Sequence, residues 1–416
     1  MKRIRRIIFW CHLTAGVFAG IVILVMSVTG VLLAYERQIT YWADTRGYNV
    51  ARPSPSSGRL PPEALLAKVR ESQTAFPSAL TVRTDPEAPA QVSFGRERTL
   101  YVNPYTGEGL GEGAPGVRAF FRKVTDWHRW LGAEGESRAV GRAVTGACNL
   151  AFLFIVGSGV YLWWPRKWSR SAVRGVTWFR RGLRGPARDF NWHNTLGFWS
   201  AIPLFVVVLS SVVISYTWAG NLVYRLAGEE PPAPRSSAPP GAPAGNAAQQ
   251  RQEGAKAGEA SLDRLNLMWA RAEQQVEGWQ SISLQLPPKP DAPVTFTIDR
   301  GNGGQPQKRA QLTLDRKSGE VVRWEPFSSS STGRRLRSYL RFAHTGEVAG
   351  VVGQTVAGLA SVGAVVLVLT GLSLAWRRFR AWAAKRLAGA SSAVGQAEPA
   401  LGLRDEQAEA LESTVR

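Results

Sequence analysis

Four long apolar segments dominate what this chain can become. They run roughly Ile7–Tyr35, Val140–Trp164, Leu196–Trp218 and Val348–Trp376, and none carries a charge in its central stretch. Each reaches or exceeds the ~20 residues that span a hydrocarbon core of ~30 Å. Inside lipid a backbone must satisfy its own polar groups, which leaves the helix as the fold of each segment. The sequence therefore predicts a membrane α-helical protein with four transmembrane helices.

A net charge of +20 invites a nucleic-acid reading, but the basic residues fall where membrane topology wants them. Lys2, Arg3, Arg5 and Arg6 precede the first span. Arg166, Lys167, Arg170, Arg174, Arg180, Arg181, Arg184 and Arg188 fill the loop between spans two and three, and Arg377, Arg378 and Arg380 follow the fourth. Both termini and the middle loop are thus assigned to the cytoplasm and the two long connections to the other side. The order is span 1–35, extracytoplasmic module 36–127, histidine and span 128–164, and basic cytoplasmic loop 165–190. Histidine and span 191–218, module 219–343, histidine and span 344–376 and cytoplasmic tail 377–416 complete it. Charge here sets orientation and contact with membrane lipid; no nucleic-acid partner is expected. The first segment is too long for the apolar region of a cleaved secretory signal and is expected to stay as an anchor.

The chain repeats itself. His12-Leu-Thr-Ala-Gly16 corresponds to His193-Asn-Thr-Leu-Gly197, and Thr106-Gly-Glu108 to Ser318-Gly-Glu320. Gly141, Val144, Gly159 and Trp164 recur 212 positions later as Gly353, Val356, Gly371 and Trp376. Each unit reads span, module, histidine, span, so the spans form a tandem parallel repeat of two with a pseudo-two-fold axis along the membrane normal. The modules read as small α+β folds. The first has a helix over Pro62–Ala75 and strands at Leu80–Arg83, Ala90–Phe94 and Thr99–Val102. The second has a helix over Leu262–Val276 and strands at Ser281–Leu286, Val294–Asp299 and Ala310–Leu314. A Pro/Ala/Gly/Gln-rich stretch, 228–260, interrupts the second and cannot bury enough apolar surface to fold. The tail beyond about Ala388 is polar and is expected to be unstructured.

The chain has only four histidines, His12, His128, His193 and His344, and each lies at the edge of a span. Ionisable side chains at membrane depth are costly and usually functional, and neutral imidazole is a common ligand of haem iron. The repeat sets His12 opposite His193 on the cytoplasmic side and His128 opposite His344 on the other, enough for two haems. With Cys11 and Cys148 alone there is no CxxCH, so the haems would be held without covalent attachment. Zinc or copper is the competing metal, with Cys11 the one nearby thiolate. Arg5, Arg6, Arg188, Arg129 and Arg341 could pair with haem propionates, and Asp126 and Glu347 could orient the outer imidazoles. No GxGxxG, Walker loop or serine elbow is present. Electrons would have to come from a separate cytoplasmic donor.

Several stretches resemble the PepSY-associated transmembrane family. They are Trp10-Cys-His-Leu-Thr-Ala-Gly16, Tyr101-Val-Asn-Pro-Tyr-Thr-Gly-Glu108, Asp126-Trp-His-Arg-Trp-Leu-Gly132, Asn191-Trp-His-Asn-Thr-Leu-Gly-Phe-Trp199 and Phe342-Ala-His-Thr-Gly-Glu347. Asp315-Arg-Lys-Ser-Gly-Glu320 departs from the family's usual turn. The resemblance covers roughly residues 1–385 and implies PepSY-like modules in a bacterial inner (cytoplasmic) membrane protein. It implies two b haems, with His12 and His193 as ligands of the inner iron and His128 and His344 of the outer one. It also implies a haem-dependent oxidoreductase that takes electrons from a cytoplasmic reductase and reduces a ferric siderophore, releasing Fe(II) for uptake. Other readings stay open: a non-redox membrane regulator or assembly factor binding peptides through its modules, a transporter, or a haem protein with another periplasmic electron acceptor.

Overall fold

The computed structural model describes residues 2–48, 50, 54, 57–95, 98–164, 169–232, 262–287 and 291–413, the last 27 of these as backbone only. Most of the insert expected over 228–260 lies outside these residues, as do Arg166 and Lys167. Four helices are long and apolar enough to cross a membrane. They are α1 (Lys2–Leu33), α5 (Arg138–Trp163), α7 (Gly185–Ser215) and α11 (Gly350–Ser413). The last continues through the stretch expected to be an unstructured tail, where alanine, leucine, glutamate and glutamine favour the helix.

Contacts divide the chain into two compact units, each containing part of every span. The first comprises Met1–Leu24, Ala151–Ile202 and Gly363–Arg416; the second comprises Val25–Leu150 and Pro203–Val362. In the first, a short helix α6 (Arg170–Thr177), capped by the Ser169 hydroxyl, leads into a segment tied to α7. Asn191 accepts from the Arg180 amide at 2.9 Å, and the Trp199 indole donates to the Thr177 carbonyl at 2.9 Å. Asp189, buried, takes hydrogen bonds from Arg188, Ser373 and Arg377.

The second unit is built on a sheet. Strands β1 (Ala79–Arg83), β2 (Ala90–Phe94), β3 (Arg98–Val102) and β4 (Gly109–Gly111) come from one connection. Strands β5 (Ser281–Gln285), β6 (Val294–Asp299), β7 (Arg309–Leu314) and β8 (Val321–Pro326) come from the other. The two sets are not separate modules. β1 pairs antiparallel with β5 over Ala79↔Gln285 to Arg83↔Ser281, giving one eight-stranded sheet in the order β4-β3-β2-β1-β5-β6-β7-β8. Alternation explains why they fuse: Leu80, Val92, Ile282, Leu284, Phe296, Ile298 and Leu312 all point into one core. Helices α3 (Pro62–Ser72) and α9 (Leu265–Gln275) close that core with Leu65, Leu66, Val69, Met268 and Trp269. Glu63 and Asn266 cap each other's helix, each side chain accepting the other's amide at 3.0 Å.

Amphipathic helices follow and precede the spans. Helix α2 (Glu36–Thr45) packs with α4 (Pro115–Trp130), and α8 (Thr217–Leu226) with α10 (Thr332–His344). An acid caps each second helix. Asp44 takes the Ala114 amide at 2.7 Å, the Tyr101 hydroxyl at 2.9 Å and the Arg118 guanidinium. Glu229 takes the Gly333 amide at 3.1 Å and the Ser331 hydroxyl at 2.6 Å. Burial and the Asp44 carboxylate hold the Tyr101 phenol well above its ordinary value. Asp44→Ala leaves Arg118 and Tyr101 without their shared acceptor. It is expected to cost about 3 kcal/mol, read as a lower apparent melting temperature of the detergent-purified protein.

Candidate functional site

His128 and His344 do not sit on spans. Each closes an amphipathic helix, in the last turn of α4 and of α10. The chain then reverses through left-handed backbone, at Leu131 and Gly132 after the first and at Gly346 and Gly350 after the second. Glycine is required where each reversal meets its span. A Cβ on Gly141 would strike the Trp130 carbonyl, and one on Gly353 the Gly346 carbonyl, both well inside van der Waals contact. Trp130 and Gly346 each stand two residues beyond a histidine, so these contacts fix where the imidazoles emerge.

The structure brings His128 and His344 together, with ring centroids 6.3 Å apart and planes inclined at 53°. His128 Nδ1 lies 2.9 Å from Thr29 Oγ1 of α1. The Thr29 hydroxyl proton goes to the Val25 carbonyl at 2.7 Å, so its oxygen accepts from the imidazole. His344 Nδ1 donates to the Val207 carbonyl of α7 at 2.9 Å. A Cβ on Gly30 would stand 3.6 Å from His128 Cε1, so the ring lies against bare backbone.

The first unit holds the other two histidines, His12 and His193. His12 Nδ1 lies 2.8 Å from Ser158 Oγ, whose own proton is given to the Ile155 carbonyl at 3.2 Å. His193 Nδ1 donates to the Leu367 carbonyl at 3.1 Å and meets Thr370 Oγ1 at 3.1 Å. A Cβ on Gly159 would lie 3.4 Å from His12 Cε1, and one on Gly371 would lie 3.3 Å from His193 Cε1. Ser158 and Thr370 stand 212 positions apart, as do Gly159 and Gly371.

These contacts settle the chemistry open to each ring. Every Nδ1 faces an acceptor, so the neutral imidazole carries its proton there and leaves the Nε2 lone pair bare. Among the described residues no side chain or carbonyl hydrogen-bonds any of the four Nε2 atoms. An imidazole anchored through Nδ1 with Nε2 free is how proteins present a metal ligand. Two imidazoles on opposite sides of one metal, with bonds of ~2 Å and ~1.1 Å from nitrogen to ring centre, stand roughly 6 Å apart. The outer pair has that spacing. Among the described residues no three His, Cys, Asp or Glu side chains gather to enclose a bare ion. The donor set suits a metal whose other positions are filled by a macrocycle, and the residues fit a haem.

The carboxylates expected to orient the outer imidazoles are engaged elsewhere. Asp126 lies 3.8 Å from Arg138, and Glu347 pairs with Arg37 at 3.4 Å and accepts from Thr345 at 2.9 Å. The groups that orient the outer imidazoles are instead Thr29 and the Val207 carbonyl. The repeated Gly159 and Gly371 were the signal for the inner pair, since each marks the turn that faces a histidine.

No curated protein matches the chain in sequence. A family model does, over residues 9–378, a stretch that takes in all four histidines, most of every candidate span and the whole sheet: the chain belongs to the family described as the PepSY-associated TM region.

Proposed function

We propose that this chain is a transmembrane electron carrier with two non-covalently bound b-type haems, the inner on His12 and His193 and the outer on His128 and His344. The observation that carries the reading is the state of the imidazoles: each commits its Nδ1 proton to another helix and keeps an unpartnered Nε2. A bound haem supplies a one-electron Fe(III)/Fe(II) couple. The paired imidazoles would hold each haem through their Nε2 atoms. Thr29, Ser158 and Thr370 hold the rings through Nδ1, and Gly30, Gly159 and Gly371 leave room beside their Cε1 atoms.

The architecture behind this is a tandem parallel repeat of two, with PepSY-like halves of the sheet on the extracytoplasmic side of a bacterial inner membrane. Both termini face the cytoplasm. The recurrence of Ser158–Gly159 as Thr370–Gly371 supports the repeat, and the arginines of the 165–190 loop and of 377–386 support the orientation. Electrons enter from a separate cytoplasmic reductase, since the sequence carries no nucleotide fingerprint. They leave to a ferric siderophore, where one electron converts tightly chelated Fe(III) to weakly held Fe(II).

Detergent-purified protein is expected to show two low-spin haems per chain in a dithionite-reduced minus oxidised spectrum. A folded but colourless protein would remove this reading and make the peptide-binding regulator the better account. Ser158→Ala, which strips the acceptor from His12, is expected to speed loss of the inner haem to an apoglobin trap by about tenfold.

A further inference from the structure

Three arginines from three helices converge beside the outer histidine pair. Arg129 follows His128 in the last turn of α4, Arg341 precedes His344 by three residues in α10, and Arg142 lies in the second turn of α5. The Thr145 hydroxyl lies 3.0 Å from the Arg129 carbonyl and 3.2 Å from the Arg142 carbonyl, and the His128 and His344 rings, 6.3 Å apart, set Arg129 and Arg341 on neighbouring helix turns. Among the described residues none of the three forms an ion pair, and the Asp126 carboxylate is nearest Arg138 instead. All three are exposed, and Arg129 is steadied over the Trp130 ring at 4.8 Å.

The inner pair is arranged differently. Arg5 gives its guanidinium to the carbonyls of Leu162 and Trp164, and Arg188 pairs with Asp189 at 2.9 Å. There Arg5 and Arg188 are engaged by the protein. A helix C-terminus accounts for an arginine in the last turn, at ~0.3–1 kcal/mol each. It accounts for Arg129 and Arg341 singly. It does not account for Arg142, near the N-terminal end of α5, or for bringing three like charges together without a counter-ion.

We propose that Arg129, Arg142 and Arg341 form a receptor for carboxylate groups beside the outer histidine pair. The guanidinium fork matches a carboxylate with two parallel hydrogen bonds. Two sources offer that chemistry: the propionates of the haem that the reading above sets on His128 and His344, and a carboxylate-bearing ferric chelate approaching it.

The test uses the full chain in zwitterionic nanodiscs, as wild type and as Arg129→Gln, Arg142→Gln and Arg341→Gln, with the corresponding lysine variants. Haem is quantified first, both haem potentials are titrated, and ferric citrate binding is followed by quenching of tryptophan fluorescence. If propionates are the ligand, the haem lost in His128→Ala moves to lower potential in each glutamine variant. The other haem holds, and lysine restores part of the shift. If a chelate is the ligand, both potentials hold and affinity for ferric citrate falls about tenfold, while a cationic ferric hydroxamate is unaffected. Potentials and citrate affinity unchanged in all three variants overturn the receptor, and leave these arginines to lipid headgroups. Wild type that folds without haem overturns the electron-carrier reading and the propionate source together, and the citrate titration alone then decides the site.

Discussion

If the two-haem proposal is right, His128→Ala is expected to halve the haem content, from two per chain to one, and to abolish reduction of ferric siderophore on the extracytoplasmic side. The inner haem should keep its spectrum, because its proposed ligands His12 and His193 are held by Ser158 and Thr370 in the other compact unit. His344→Ala should match it, and the double variant should be no worse than either. Removing either imidazole already destroys the axial pair, so the effects do not add. His12→Ala should also leave one haem, but the surviving outer haem would accept electrons from dithionite and not from a cytoplasmic donor. Ferric reduction that persists in His128→Ala would show that electrons leave by another route.

Gly353→Ala should be the most damaging single-methyl change. Its new Cβ would collide with the Gly346 carbonyl and stand 2.8 Å from the Ala349 methyl. The obstacle is main chain, not the end of a flexible side chain, so the turn at Gly346 and α11 must part. A loss of about 3 kcal/mol or more is expected, seen as a lower melting temperature with selective loss of the outer haem. Gly141→Ala should behave likewise, since the same carbonyl position, two residues past the histidine, blocks it. Gly157→Ala meets nothing within 4 Å and serves as the neutral control.

Much of this was legible in the sequence, for physical reasons that differ by element. The spans announced themselves because lipid demands an unbroken apolar run. Six strands were legible because alternation survives in segments such as Val294–Asp299, where every second residue is buried. β4 and β8 were not. The first is three residues with two glycines, and the second is an edge strand whose valines are exposed. Helices α4 and α10 went unread because arginines and aromatics crowd their sequences, and with them went the fact that the outer histidines stand off the spans. The histidines themselves were found by scarcity and repetition. Their partners were not, because Ser158 lies 146 residues from His12 and Val207 lies 137 from His344. No local pattern links such pairs.

The seam between β1 and β5 has a consequence for biosynthesis. β1 ends at Arg83 and its central partner begins at Ser281, so its outer edge waits about 200 residues for completion. At ~5–20 residues per second this is roughly 10–40 s of translation. During that interval the nascent chain displays an open edge able to pair with strangers, and it carries His12 and His128 without the imidazoles that face them. On the proposed haem reading, every truncated product stopped before the third span would therefore be colourless and adhesive at once. On that reading, coloured protein would report only chains that had passed His193.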